Sequence, residues 1–215
     1  MEIKSIMMEN EPPYRDDASA GVNERIARRV RELRAAQGYT LDALAARCGV
    51  SRSMISLVER GATSPTAVVL EKLAAGLGVT LASLFGGERE GATAQPLVPR
   101  ARQSQWRDPD SGYVRRNLSP PGWPSPIQMV EVDFPPGVRV AYETGGRDRA
   151  WQQQVWVIEG RIDVMLGDQL YLLHEGDCLA MRVDQPLVYS NPTSQPARYL
   201  VVICDEPVLA GTRSA

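Results

Sequence analysis

The sequence predicts an α+β chain of two domains, an all-α N-terminal domain of five short helices and an all-β C-terminal domain built as a sandwich or barrel. Three observations predict it. From residue 23 to residue 85 the apolar side chains recur at spacings of three and four. Beyond residue 96 that spacing stops, and prolines and glycines punctuate short runs of strand-forming residues. Between the two regions lies GGEREGATAQP, the composition of a linker. A chain of 215 residues is long enough for two modest domains.

Residues 1–20, MEIKSIMMENEPPYRDDASA, have no apolar core followed by a small-residue cleavage site. They are expected to form a disordered arm and not a signal peptide. The helical domain is assigned to 21–87. Asn23 is expected to cap a first helix with Ile26, Val30 and Leu33 facing inward, ended by Gly38. Thr40 caps a second helix carrying Leu41, Leu44 and Ala45, and Cys48-Gly49-Val50 makes a tight turn. Ser51 caps a third, with Met54, Ile55 and Val58 inward and Gly61 as its stop. Ser64-Pro65 opens a fourth that buries Val68, Leu70, Leu73 and Leu77, and Thr80 opens a last short helix through Leu84.

After a linker at 88–96, the β domain is assigned to 97–205 and a C-terminal tail to 206–215. Strands are expected at about 112–118, 126–134, 137–143, 153–158, 161–166, 169–173, 178–183, 187–190 and 197–204, separated by turn signals such as Pro135-Pro136-Gly137 and Glu159-Gly160. No run of apolar residues is long enough to span a membrane. Cys48, Cys178 and Cys204 are odd in number and far apart, which suits neither a disulfide framework nor a zinc site and fits a reducing cytoplasm. Cys178 and Cys204 are expected to be small buried hydrophobes. Trp106, Trp123 and Trp156 are expected in packing or interfaces.

The net charge of −2 hides an asymmetry. Residues 1–20 carry −3, residues 21–87 carry +4 and residues 88–215 carry −3. Positive charge therefore sits on the helices, the electrostatic footprint of a nucleic-acid-binding module joined to an acidic partner domain.

The run IARRVRELRAAQGYTLDALAARCGVSRSMISLVERGATSPTAVVLEKLAAGLGVTLASLF resembles, in one ungapped register, the repressor-like regulators named after the xenobiotic-response-element and phage Cro proteins. The elements that carry the resemblance are Leu33-Arg34, Leu44-Ala45, Gly49-Val50-Ser51, Ile55, Glu59-Arg60-Gly61, Pro65 and Leu73-Ala74 to Leu77-Gly78-Val79. The resemblance implies a helix-turn-helix whose second motif helix, 51–60, enters the DNA major groove with its first turn foremost. Arg52 and Ser53 are then base readers, with Ser56 one turn on, while Ser51 caps the helix. Thr40, Arg60, Thr63 and Ser64 lie where the family contacts phosphates. The same pattern pairs Arg34 with Glu59 in a partly buried ion pair, a structural role.

Residues 97–205 resemble the cupin small barrels, a jelly-roll fold, most clearly over VWVIEGRIDVMLGDQLYLLHEGDCLAMRVDQPLVYSNPTSQPARYLVVI. Metal-binding cupins use two histidines and a glutamate from a first motif and a histidine from a second. Gln153 stands at the glutamate position, ETGGRDR over 143–149 holds no histidine, and Leu187 replaces the second-motif histidine. The single histidine, His174, is expected in a turn, and Glu143 with Asp148 as solvated loop acids. The resemblance therefore implies a cupin without its metal and without a cofactor. Gln153, Trp151, Tyr142, Arg147, Met181, Leu187 and Tyr189 are candidates for a pocket that takes a small polar effector, one bearing a carboxylate among the possibilities.

These expectations describe a dimeric regulator, a repressor more readily than an activator, that binds a near-palindromic double-stranded operator. Two alternatives stay open at this point: a metalloenzyme fused to a DNA-binding domain, and a DNA binder whose barrel is inert and only dimerises.

Overall fold

The computed structural model describes residues 16–85, 94–143 and 151–204, with the backbone alone described at 16–20 and 151. Five helices come first: α1 (Asp16–Ala36), α2 (Leu41–Cys48), α3 (Arg52–Glu59), α4 (Ala67–Leu77) and α5 (Leu81–Phe85). A short 3₁₀ turn at Arg100–Arg102 follows, and then ten strands: β1 (Gln105–Arg107), β2 (Val114–Asn117), β3 (Ile127–Phe134), β4 (Arg139–Tyr142), β5 (Trp151–Glu159), β6 (Arg161–Leu166), β7 (Gln169–His174), β8 (Cys178–Val183), β9 (Leu187–Ser190) and β10 (Ala197–Cys204).

Helix α1 begins at Asp16, seven residues ahead of the expected cap, so the last residues assigned to the arm are helical. The added turn buries Val22 beneath Ile26 and Val30. Asn23 lies mid-helix, its side-chain oxygen accepting from the Ser64 hydroxyl at 3.4 Å. The rest of the proposed arm, and the tail beyond Cys204, lie outside the described residues.

The caps of α2 and α3 follow the polar residues that precede them. Thr40 Oγ accepts from the Ala43 amide and Ser51 Oγ from the Met54 amide. Gly49 stands at φ 65°, a left-handed conformation that lets α2 end and α3 start within a three-residue turn. Helix α4 departs from expectation. Its cap is Thr66, whose hydroxyl accepts from the Val69 amide, and Pro65 is a buried residue ahead of the helix. The shift turns Val68 to a half-buried position while Leu70, Leu73 and Leu77 remain in the core. Helices α2 and α4 meet closely at Gly76, where a Cβ would come within 2.7 Å of the Cys48 Cβ.

The strands form two antiparallel sheets, one of six in the order β1-β2-β3-β10-β5-β8 and one of four in the order β4-β9-β6-β7. Alternation directs Val155 and Val157 of β5, Ile162 and Val164 of β6, and Tyr199, Val201 and Ile203 of β10 into the space between the sheets. The same alternation exposes Cys178: Met181 and Val183 of its strand point inward, so the opposite parity faces water. Cys178 is thus no buried hydrophobe, and Cys204 is only half-buried. His174 ends β7 and does not sit in the turn; its side chain is exposed. Strand β1 is an element that sequence patterning missed, since three residues show no period.

The two domains share one apolar core. Trp106 of β1, 1% exposed, packs between Phe85 of α5, tilted against it, and Tyr113, edge-to-face, with ring centroids 5.6 and 5.9 Å away. Asp108, 3% exposed, accepts from the Ala67 amide at 2.9 Å, so a residue of the β domain caps the first turn of α4. Its other oxygen accepts from the Ser111 amide. Thr80 Oγ donates to Gln128 Oε1 at 2.6 Å, and Lys72 pairs with Glu143 at 3.0 Å. The helical domain is packed onto the sandwich across α4 and α5.

Candidate nucleic-acid interface and barrel pocket

Helix α3 is held from behind and free in front. Ile55 and Val58 are fully buried, while Ser51, Arg52 and Ser53 at its N-terminal end are exposed. Ser51 and Ser53 hydroxyls lie 3.1 Å apart. Arg52 reaches Asp42 of α2 at 3.3 Å, with both side chains mostly in solvent. Such an exposed pair contributes no more than about 1 kcal/mol and restrains Arg52 without locking it. Ser56 is half-buried, one turn further along.

The remaining polar candidates surround that turn. Thr40 is exposed with its oxygen engaged as the α2 cap, which leaves the hydroxyl proton available. Arg60, exposed at the end of α3, donates to the Ser56 carbonyl. Thr63 and Ser64 are half-buried in the connection to α4, where Ser64 holds Asn23.

Arg34 and Glu59 form a two-point ion pair, Nε to Oε1 at 2.6 Å and Nη2 to Oε2 at 2.8 Å. Arg34 also donates to the Tyr39 carbonyl, and Arg31 donates to the Glu59 carbonyl. The hydrogen bonds that Arg34 donates to the Glu59 carboxylate raise the Arg34 pKa above the ordinary arginine value, against the opposing effect of burial. This arrangement ties the last turns of α1 to the end of α3 and withdraws both side chains largely from solvent.

Inside the sandwich lies a cavity of about 70 Å³. It gathers Tyr142, Gln153, Leu187 and Tyr189 of the sequence candidates. Gln153 donates its amide to the Tyr189 hydroxyl. Met181 is buried opposite Gln153 on β8 but does not line the cavity. Arg147 and the Trp151 side chain lie outside what is described. Residues that sequence reasoning did not select complete the wall, chiefly Arg115, Tyr113 and Tyr199, with Glu71, Thr80 and Leu81 contributed by the helical domain. Burial raises the pKa of Tyr113, Tyr142, Tyr189 and Tyr199, and the nearby Arg115 charge opposes that rise in each.

The donor set does not fit the metal of metal-binding cupins. Gln153 is committed to Tyr189, Leu187 has no donor atom, Glu143 is turned to Lys72, and His174 is at the far end of β7. Among the described residues no three His, Cys, Asp or Glu side chains cluster.

Two family models match in order: a helix-turn-helix at residues 30–84 and a cupin domain at residues 131–203. The chain is 25% identical over 170 residues to the HTH-type transcriptional regulator SutR of Escherichia coli (strain K12), spanning 79% of this chain and 89% of that one. It is 26% identical over 175 residues to the HTH-type transcriptional regulator PuuR of the same organism, spanning 80% and 91%. In fold it is similar to the crystal structure of an HTH_3 family transcriptional regulator from Vibrio cholerae, with a TM-score of 0.70 at 23% identity, covering 88% of this chain and 99% of that one. The chain carries a helix-turn-helix domain followed on its C-terminal side by a cupin domain.

Proposed function

We propose that the protein is a sequence-specific DNA-binding transcriptional regulator, acting as a cytoplasmic homodimer on a near-palindromic operator, with the barrel as its effector domain. The observation that carries the DNA reading is helix α3, anchored by Ile55 and Val58 and presenting Ser51, Arg52 and Ser53 to solvent at its N-terminal end. A two-fold pair of such helices reads half-sites about 34 Å apart. The exposed Met165, Leu170 and Leu172 support pairing through the barrel: Met165 lies directly opposite Leu170 across β6 and β7, and Leu172 is two residues further along. The relatives' names, regulators over most of their length, support the same reading. A catalytic role is disfavoured by the residues that stand at the metal-ligand positions, Gln153 and Leu187.

The test is operator selection from random DNA, followed by anisotropy titration of wild type and Arg52→Ala. Arg52 in contact with a guanine edge supplies about 1–3 kcal/mol of discrimination. The variant is expected to lose preference at one base position per half-site and to keep its general, salt-dependent affinity. An Arg52→Ala protein with an unchanged preference at every position refutes the assignment.

A further inference from the structure

Arg115 is the most unusual polar group in the molecule. It stands on β2, only 6% exposed, and lines the barrel cavity. Its Nε and Nη2 have no hydrogen-bond partner among the described residues. Its guanidinium carbon lies 5.6 Å from the Phe85 ring centre, which offers a π face and no acceptor. Glu71 also borders the cavity but is not a free countercharge. A buried cation with two vacant donors costs several kcal/mol unless an anion completes it.

The geometry points to a small-carboxylate site: we propose that the cavity takes a short-chain carboxylate whose two oxygens meet Nε and Nη2 of Arg115, and that the occupant bridges the barrel and the helical domain. This inference rests on the reading of the barrel as the effector domain. The two donors form one edge of the guanidinium, the edge that matches a planar carboxylate in a two-point contact. A neutral amide supplies an acceptor but leaves the charge uncompensated. The lining also includes the apolar side chains of Val132, Val183, Leu187 and Val201, which suit an alkyl tail. The volume, about 70 Å³, is about half of the roughly 150 Å³ that admits benzene, so the occupant is limited to a handful of non-hydrogen atoms. The site is a joint one: Glu71 of α4 and Thr80 and Leu81 at the start of α5 form part of its wall, so filling it acts on the placement of the domain that carries α3.

The experiment uses the full chain and propionate, with propionamide and inorganic phosphate as matched probes at constant ionic strength. Calorimetric titration and thermal shift read binding; anisotropy on the selected operator reads coupling. Propionate is expected to bind and stabilise the wild type while propionamide and phosphate do not. Arg115→Gln is expected to weaken propionate binding about tenfold or more, and Arg115→Lys to retain part of it. Propionate is expected to change wild-type operator affinity about fivefold or more. Should Arg115→Gln fail to fold, the propionate and propionamide comparison on the wild type still decides the charge requirement. Equal binding of the two, or binding of phosphate alone, overturns the carboxylate assignment while leaving an effector domain. Binding of propionate through Arg115 with no change in operator affinity upholds the site and overturns the sensor reading. Absence of any binding overturns the proposal.

Discussion

Glu59→Ala separates a structural role from DNA reading more sharply than any other substitution. Glu59 lies at the C-terminal end of α3, the helix proposed to read DNA, where loss of a charged residue invites interpretation as loss of a DNA contact. Its side chain is 7% exposed and that of Arg34 is 19% exposed, so the pair is largely withdrawn from water. Removing the carboxylate takes away both contacts, at 2.6 and 2.8 Å, and leaves the guanidinium with the Tyr39 carbonyl alone. Breaking a buried pair from one side costs about 3–5 kcal/mol. The residual exposure of Arg34 allows partial rehydration, which puts the expected loss at the lower end, about 3 kcal/mol, or more than a hundredfold in the folding equilibrium. Urea denaturation followed by helical circular dichroism measures it, with Arg34→Ala and the double variant closing a cycle. The double variant is expected to be more stable than the sum of the single losses predicts, because no charge is left stranded. If Glu59→Ala reduces operator affinity while its unfolding free energy stays within about 0.5 kcal/mol of wild type, the pair is not structural and Glu59 belongs to the DNA surface.

Two further outcomes follow from the packing between domains and within the barrel. Asp108→Ala is expected to cost about 1–2 kcal/mol by removing the cap that the β domain places on α4, and Asp108→Asn, which keeps an acceptor, about half of that; denaturation of the full chain checks both. Burial raises the pKa of Tyr113, Tyr142, Tyr189 and Tyr199, so the folded state keeps these protons after the unfolded chain has begun to release them near pH 10. Stability is therefore fully present below that pH and falls above it, by up to about 1.4 kcal/mol per pH unit for each tyrosine; absorbance at 295 nm should show these four ionising only with unfolding.

The legibility of the fold varied with how much local information each element carries. Helices α2 and α3 could be placed from Thr40, Gly49 and Ser51 because caps and a left-handed turn are local chemistry. The start of α4 could not, since Thr66, Pro65 and Ser64 all offer plausible openings, and the choice is completed by Asp108, a residue forty-one positions away. Strands β5 to β10 read clearly because alternation over four or more residues is unambiguous. The pocket was half legible: Gln153, Leu187 and Tyr189 are found by register from family positions. Arg115 was not, because an arginine in Val114-Arg115-Arg116-Asn117 looks like one face of a solvated strand. Only the pairing of β2 with β3 directs it inward beside Val132.

The same hidden register would let the two domains act on each other under the proposed effector role. A barrel tethered by a flexible linker could bind a ligand with no consequence for a distant helix-turn-helix. Here aromatic rings run without a break from the helical domain into the barrel: Phe85, Trp106, Tyr113, Phe134, Tyr199, Tyr189 and Tyr142, each centroid within 6.3 Å of the next. Tyr199 and Tyr189 stack nearly parallel, and Tyr113 shares a hydrogen bond with Tyr142. Four of these rings, those of Tyr113, Tyr142, Tyr189 and Tyr199, wall the cavity, and Phe85 lies against the Arg115 guanidinium. Close-packed rings do not deform continuously; they shift between discrete arrangements. A carboxylate that pairs with Arg115 would change the charge at the centre of this packing, which reaches α4 and α5; α2 packs on α4 and α1 on α5, and α1 and α2 together hold α3. Under the proposed coupling, the seam between the domains is the element that a ligand and an operator would each bias, and ring substitutions there, starting with Trp106, should alter coupling before they alter either binding event alone.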